Sequence, residues 1–253
     1  MLDDAYMPLL EAIRDAYARI LGAKLTGIYV HGSIAFGCFR WEISDVDYLA
    51  VVEAPLTPGE KQALLTATVR LNRDAPPKGL EMSVVLRTHC ARFVHPTPFE
   101  LHFSNAHIEA YRQDAEGYCA CMCGVDYDLA AHFTVIRKVG RVLCGPSIAQ
   151  VFGPVADADY FDSIRLDIEN AAEEVASNPV YVLLNLCRVL AYKEEKRVLS
   201  KREGGLWALK SLRDPVPACV RWALAQYTGD VALPLDEEEA VRFCKAMCTR
   251  ILA

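Results

Sequence analysis

The sequence of 253 residues contains no apolar run near the roughly 20 residues that a membrane-spanning helix requires. Its opening, "MLDDAYMPLLEAIRDAY", has neither the basic nor the apolar stretch of a secretory signal, so a soluble, cytoplasmic chain is expected, with no membrane partner. A basic excess is also missing. Lys and Arg number 27 against 33 Asp and Glu, a net charge of −6, and no basic cluster is interleaved with aromatics. No nucleic-acid partner is expected, because such surfaces need a positive field to displace counterions. Internal repeats and low-complexity tracts are absent. So is any C-x-x-C pair, although there are ten cysteines, which in the cytosol read as reduced, small core residues. "YCACMCG" sets Cys119, Cys121 and Cys123 at alternate positions. With His107 and His132 far off in sequence, it reads as an apolar loop or strand rather than a zinc site.

What is present is a hydrophobic content of 53%, enough for a real core in one large or two smaller units. Leu9, Leu10, Ile13, Tyr17 and Ile20 recur at helical spacing over residues 2–21. "LTGIYVHGS", "DVDYLAVVE" and "GLEMSVVLR" read as strands, the last preceded by the helical "PGEKQALLTATVRLNR", and "FELHFS" as a further strand. From about residue 126 onward the patterns suit helices alone. Two Gly-Pro pairs in "GPSIAQVFGPVADAD" place a boundary near 155, giving units 1–155 and 156–253.

Side chains two apart on a strand share a face, so Asp45 and Asp47 project together. Two parallel carboxylates repel unless a cation lies between them, and Mg²⁺ suits oxygen ligands and brings substrate phosphates with it. Glu81, near the start of the next strand, completes a three-carboxylate cluster if the strands are neighbours. "HGS" supplies the phosphate side: Gly32 permits close backbone approach, and Ser33 offers a hydroxyl and a helix cap. His31, beside that turn, is expected to make a structural hydrogen bond.

A glycine-serine pair, eleven residues, then D-x-D opening an apolar strand, with an acidic residue in the following strand, resembles the nucleotidyltransferase superfamily with the polymerase β-like catalytic fold. "IYVHGSIAFG", "SDVDYLAVVE", "LTPGEKQALL", "GLEMSVVLR" and "FELHFS", followed by "DLAAHFTVIRKVGRVLCGPSIAQVFGPV", are similar to the aminoglycoside adenylyltransferases of the spectinomycin and streptomycin group. So are "NPVYVLLNLCRVLAY" and "VLSKREGGLWAL" in the second half. The resemblance implies an α+β fold, a polymerase β-like domain with a mixed sheet plus a C-terminal all-helical bundle. It implies Mg-dependent transfer of AMP from ATP to a hydroxyl of an aminocyclitol antibiotic. Asp45 and Asp47 would hold the metal, Glu81 would be the general base, and Ser33 and Ser44 would meet the phosphates. Arg188, Lys201 and Tyr227 fall where the family contacts ATP, and a monomer is expected.

Periodicity adds to this in the second half. Asn178 is expected to cap a helix with Pro179 in its first turn, and Tyr181, Asn185, Arg188 and Tyr192 follow at offsets of three, seven, ten and fourteen. They form one polar stripe on an otherwise apolar helix, expected to face a cleft, the alternative being Arg188 paired with a carboxylate inside the bundle. Asp167, Asn170 and Glu174 share a face on the preceding helix and offer acidic groups to a cationic drug. Members that accept streptomycin carry a tryptophan shortly after "ELHF" and an aspartate ahead of "NPVYV"; this chain has Ala106, His107 and Glu174 there, and Asn178 replaces an acidic residue of some members. Spectinomycin, modified at its 9-hydroxyl, is therefore the expected substrate, with His107, Glu174, Asn178, Tyr181 and Asn185 as drug contacts. The competing readings are a nucleotidyltransferase acting on a protein or RNA, and a catalytically silent nucleotide-binding module.

Overall fold

In a computed structural model of the chain, residues 5–212, 218–229 and 234–253 are described. Residues 2–4 of the expected first helix, and Arg213 and Pro217 at the ends of two others, lie outside them. The chain divides into two compact units, Met1–Val155 and Ala156–Ala253.

The first unit contains, in order, α1 (Met7–Leu21), β1 (Leu25–Val30), α2 (Gly32–Ala35), β2 (Val46–Val52), α3 (Pro58–Leu71), β3 (Leu80–Leu86), α4 (Arg87–Ala91), β4 (Thr97–Phe99) and β5 (Leu101–Phe103). It continues with α5 (Ile108–Gln113), α6 (Ala115–Cys121), β6 (Gly124–Asp126), α7 (Leu129–Val139), β7 (Arg141–Cys144) and α8 (Ile148–Val151). The main sheet has the order β5-β3-β2-β1-β7, and β4 pairs with β6 in a second, two-stranded sheet. Only β2 and β3 run parallel in the main sheet, the arrangement that α3, as their crossover, makes possible. That helix starts where it does because Thr57 and Glu60 form a reciprocal capping box, with Pro58 in the first turn.

The two-residue period of β2 and β3 sorts the core. Val46, Tyr48, Ala50, Leu80, Met82 and Val84 pack with residues of α1 and α3 in one cluster. Leu49, Val51 and Val85 join Tyr29, Phe133, Ile136 and Phe152 in a second cluster, with α7. Helices thus cover both faces, and Asp47 and Glu81 lie by alternation on the α7 face, at the strand ends.

The second unit consists, among the described residues, of α9 (Asp157–Leu166), α10 (Ala171–Glu174), α11 (Pro179–Glu195), α12 (Lys201–Ser211), α13 (Ala218–Thr228) and α14 (Glu237–Leu252). The apolar α11 is its centre, packed on α9, α10, α12, α13 and α14. Gly204 and Gly205 let α12 close on it: a Cβ at Gly204 would come within 2.8 Å of Arg188 Cβ, and one at Gly205 within 2.8 Å of Leu184 Cδ2. No helix among the described residues is long and apolar enough to cross a membrane.

Several elements differ from the sequence expectation. "GRVL" is not the end of a helix: Arg141–Cys144 form the edge strand β7, because Gly140 ends α7 and the chain returns to pair with β1. "YCACMC" is largely helical, led in by Asp114, whose carboxylate accepts from Gly117 N–H at 2.9 Å. The segment 159–177 is two helices separated by turns, with Asp167 at the end of α9. His31, not Ser33, occupies the N-cap position of α2, and Asn178 makes no side-chain cap bond.

Candidate active site

The site is organised by the turn that leaves β1. His31 N–H donates to Asp47 O at 3.0 Å, tying the turn to the neighbouring strand. Gly32 sits at φ +57°, and a Cβ there would fall 1.8 Å from Asp47 Oδ2, so the carboxylate passes where any side chain would stand. Ser33 Oγ is buried without a hydrogen-bond partner. Ser44, also buried, accepts from Arg40 N–H at 3.0 Å and closes the loop before β2.

Asp45 immediately precedes β2, Asp47 lies within it, and the parallel register sets Asp47 directly opposite Glu81. Oxygens of the three carboxylates lie within 4.8 Å of one another, and all three residues are half-buried. A hard, all-oxygen donor set of three negative charges at partly desolvated positions suits a divalent cation of the magnesium kind.

Histidines and further carboxylates border this cluster, although the sequence showed no spacing that joined them. Ser83, two residues after Glu81 on the same face, lies with its Oγ 2.9 Å from His102 Nδ1. Burial, then the neighbouring His107 ring at 5.1 Å, pushes His102 down to about 4. His107 Nδ1 is 3.1 Å from Ser104 Oγ, a local capping contact, and burial lowers its pKa. The His31 ring rests 4.5 Å from that of His132 on α7, whose Nε2 lies 3.6 Å from Asp128. Burial, with His132 nearby, lowers the pKa of His31. His132 goes the other way: burial opposes its charge, but Asp128, helped by Glu81 and Asp126, outweighs it and raises His132 to about 10. The one available signal was the i, i+4 pair in "DLAAH", polar groups one helical turn apart.

In the second unit Lys201 Nζ sits 4.4 Å from the Tyr181 ring centroid, a cation–π contact. Tyr227 is half-buried on α13, while Glu174 and Asn178 are exposed where α10 ends and α11 begins. Part of the polar stripe of α11, which was expected to face a cleft, is instead turned into the bundle. Asn185 is 0% exposed, with neither amide atom hydrogen-bonded, and Tyr192 is buried against Tyr160. Arg188 donates to Asp167 at 3.0 Å, which is the paired-in-the-bundle alternative. Gly204 lets α12 pack closely against Arg188, which helps to close this part of the stripe.

A glycine-serine turn under an Asp-x-Asp strand, with a glutamate in register on the parallel neighbour, is the arrangement expected from the resemblance to nucleotidyltransferases. Comparison with known proteins narrows the class. Residues 150–250 match the family described as the aminoglycoside adenylyltransferase C-terminal domain. Over 246 residues the chain is 25% identical to an aminoglycoside (3'')(9) adenylyltransferase of Klebsiella pneumoniae, covering 92% of this chain and 91% of that one. A relative of the same name from Rhizobium radiobacter is 26% identical over 213 residues, covering 80% and 78%. The fold is shared with a spectinomycin adenyltransferase from Enterococcus faecialis, solved with ATP and spectinomycin, at a TM-score of 0.82 and 18% identity over 98% of this chain and 99% of that one. Over most of its length, then, the chain is similar to aminoglycoside adenylyltransferases, and its residues 150–250 match the model of their C-terminal domain.

Proposed function

We propose that this protein transfers AMP from ATP to the 9-hydroxyl of spectinomycin, releasing pyrophosphate, with Mg²⁺ held by Asp45 and Asp47. The observation that carries the reading is the parallel register that sets Glu81 beside Asp47 with the carboxylates within 4.8 Å. When bound, magnesium neutralises the triphosphate and stabilises charge developing around the α-phosphorus. Glu81 accepts the proton of the attacking hydroxyl as its oxygen bonds to the α-phosphorus and the bond to the pyrophosphate oxygen breaks in line. Ser33, a buried donor without a partner, and the backbone at Gly32 are suited to phosphate oxygens. Ser44 is the lesser candidate, since its hydroxyl already serves Arg40.

In the second unit, Lys201 and Tyr227 carry the charge and ring that nucleotide contacts need, with Arg188 beside Asp167. Glu174, Asn178 and Tyr181 are the drug contacts proposed for this unit, and His107 the one proposed for the first; Asn185, fully enclosed, is withdrawn from the set. Ala106 leaves no aromatic platform at the position that streptomycin-accepting members fill with tryptophan. Purified protein with ATP and Mg²⁺ should therefore release pyrophosphate with spectinomycin and far less with streptomycin, and NMR of the product should place the phosphodiester at the 9-hydroxyl. Release with neither drug, or AMP recovered on a co-purifying protein, would overturn the assignment.

A further inference from the structure

Asp128, His132 and His31 form a line of contacts that the proposed chemistry does not use. His132 emerges from the first half of α7, with Asp128 one turn earlier on the same helix at 3.6 Å. Its other face meets the His31 ring at 4.5 Å, and His31 is the residue from which the Gly32–Ser33 turn starts. The same His31 donates its N–H to Asp47 O. One chain of contacts thus runs from α7 through two imidazoles into the turn and to the strand that carries the carboxylates.

The charge of this stack is settled by its neighbours. His31 is enclosed, and burial, with His132 beside it, outweighs the opposing pull of Asp128 and favours its neutral form. His132 faces Asp128 on its own helix, Glu81 on β3, Asp126 at the end of β6, His102 on β5 and His31 at the turn. Three carboxylates against two neutral rings favour the imidazolium. Both of its nitrogens then carry protons, yet Nδ1 is buried with no hydrogen-bond partner. A buried charged donor left over in this way is the kind of group that a bound water or a ligand oxygen satisfies.

We propose that His132 is a positioning residue of the nucleotide site: an imidazole paired with Asp128 and stacked on the His31 ring, which braces the phosphate turn and presents a positive charge to it. The inference rests on the nucleotidyltransferase reading of that turn. It requires both properties of the side chain, a flat ring to stack on His31 and a positive charge, and substitutions can separate them. His132→Phe keeps the ring, His132→Lys keeps the charge, and His132→Gln keeps neither while retaining a polar contact to Asp128.

The test is calorimetric binding of Mg·ATP to the full chain without drug, alongside the steady-state KM for ATP and kcat with spectinomycin. His132→Phe is expected to weaken Mg·ATP binding by about tenfold and raise KM in step, with kcat within about threefold. His132→Lys should recover a large part of that loss, and His132→Gln should not. Equal affinities in wild type and His132→Phe would overturn the proposal while leaving the adenylyltransferase reading intact. Wild type that binds no Mg·ATP would remove both. Imidazole NMR on the unliganded wild-type protein decides independently of any variant's folding: His132 is expected to be doubly protonated at pH 8, and a neutral ring there overturns the proposal.

Discussion

Polar residues at the ends of β2 and β3 and polar residues on α11 look alike as sequence, short polar insertions in apolar runs, and the structure treats them oppositely. Asp45, Asp47 and Glu81 are gathered with their charges pointing at one another. On α11, Asn185 and Tyr192 are buried and Arg188 half-buried, with Arg188 on Asp167 and Tyr192 on Tyr160. The difference lies in what backbone geometry leaves open. A strand's period and a parallel register force neighbouring side chains into convergence whether or not they attract, while a helix at the centre of a bundle presents every face to a partner. A cluster of like charges held together without mutual benefit invites a cation. A polar stripe with internal partners is first a matter of stability.

Substitutions should separate the two regions. Glu81→Gln should reduce turnover by about a hundredfold to ten-thousandfold, the range of general-base removal, with thermal stability unchanged or raised because a repelling charge is gone. Asp167→Asn should do the reverse to stability: it leaves the half-buried Arg188 without its carboxylate, an expected loss of about 1–3 kcal/mol by denaturant titration. Asn185→Leu should stabilise the chain by about 1 kcal/mol, since a buried amide with no partner costs more than an apolar group of similar size.

His102 gives the comparison a pH dependence. Burial depresses its folded pKa to about 4 from the ordinary 6.5 of histidine, so between those values the unfolded chain takes up a proton that the folded chain refuses. Stability should therefore fall as pH drops from about 6.5 towards 4, and His102→Gln should flatten that slope in a urea series. The smallest effect belongs to Lys196, which ends α11 at φ 54° where glycine is at ease; Lys196→Gly should gain roughly 0.5–1 kcal/mol, less whatever its contact with Tyr192 contributes.

Much of the first unit was readable from its residues. The β-branched runs, the helical stretch between the second and third of them and the D-x-D spacing gave strands, crossover and carboxylates, because each depends on local pattern. The edge strand at Arg141–Cys144 was not readable, since four residues after a helix carry no period of their own and are extended only by pairing with β1. The helix through Cys119 was hidden by alternation of cysteine with small residues, which mimics a strand. At the site, Glu81 was placed by its position in the next strand, whereas His132 and His102 were missed because tertiary packing, not spacing, brings them to it. Nor could sequence tell whether the α11 stripe faced in or out. That depended on Gly204 and Gly205, which read as poor helix formers until the helix they rest against is known.

The most direct measurement of the central claim is Mg·ATP affinity and spectinomycin-dependent pyrophosphate release, determined side by side for wild type and Glu81→Gln. The three-carboxylate account expects affinity within about threefold and release lowered at least about a hundredfold, as for a base that acts on the attacking hydroxyl rather than holding the nucleotide. Turnover close to wild type in Glu81→Gln would contradict it.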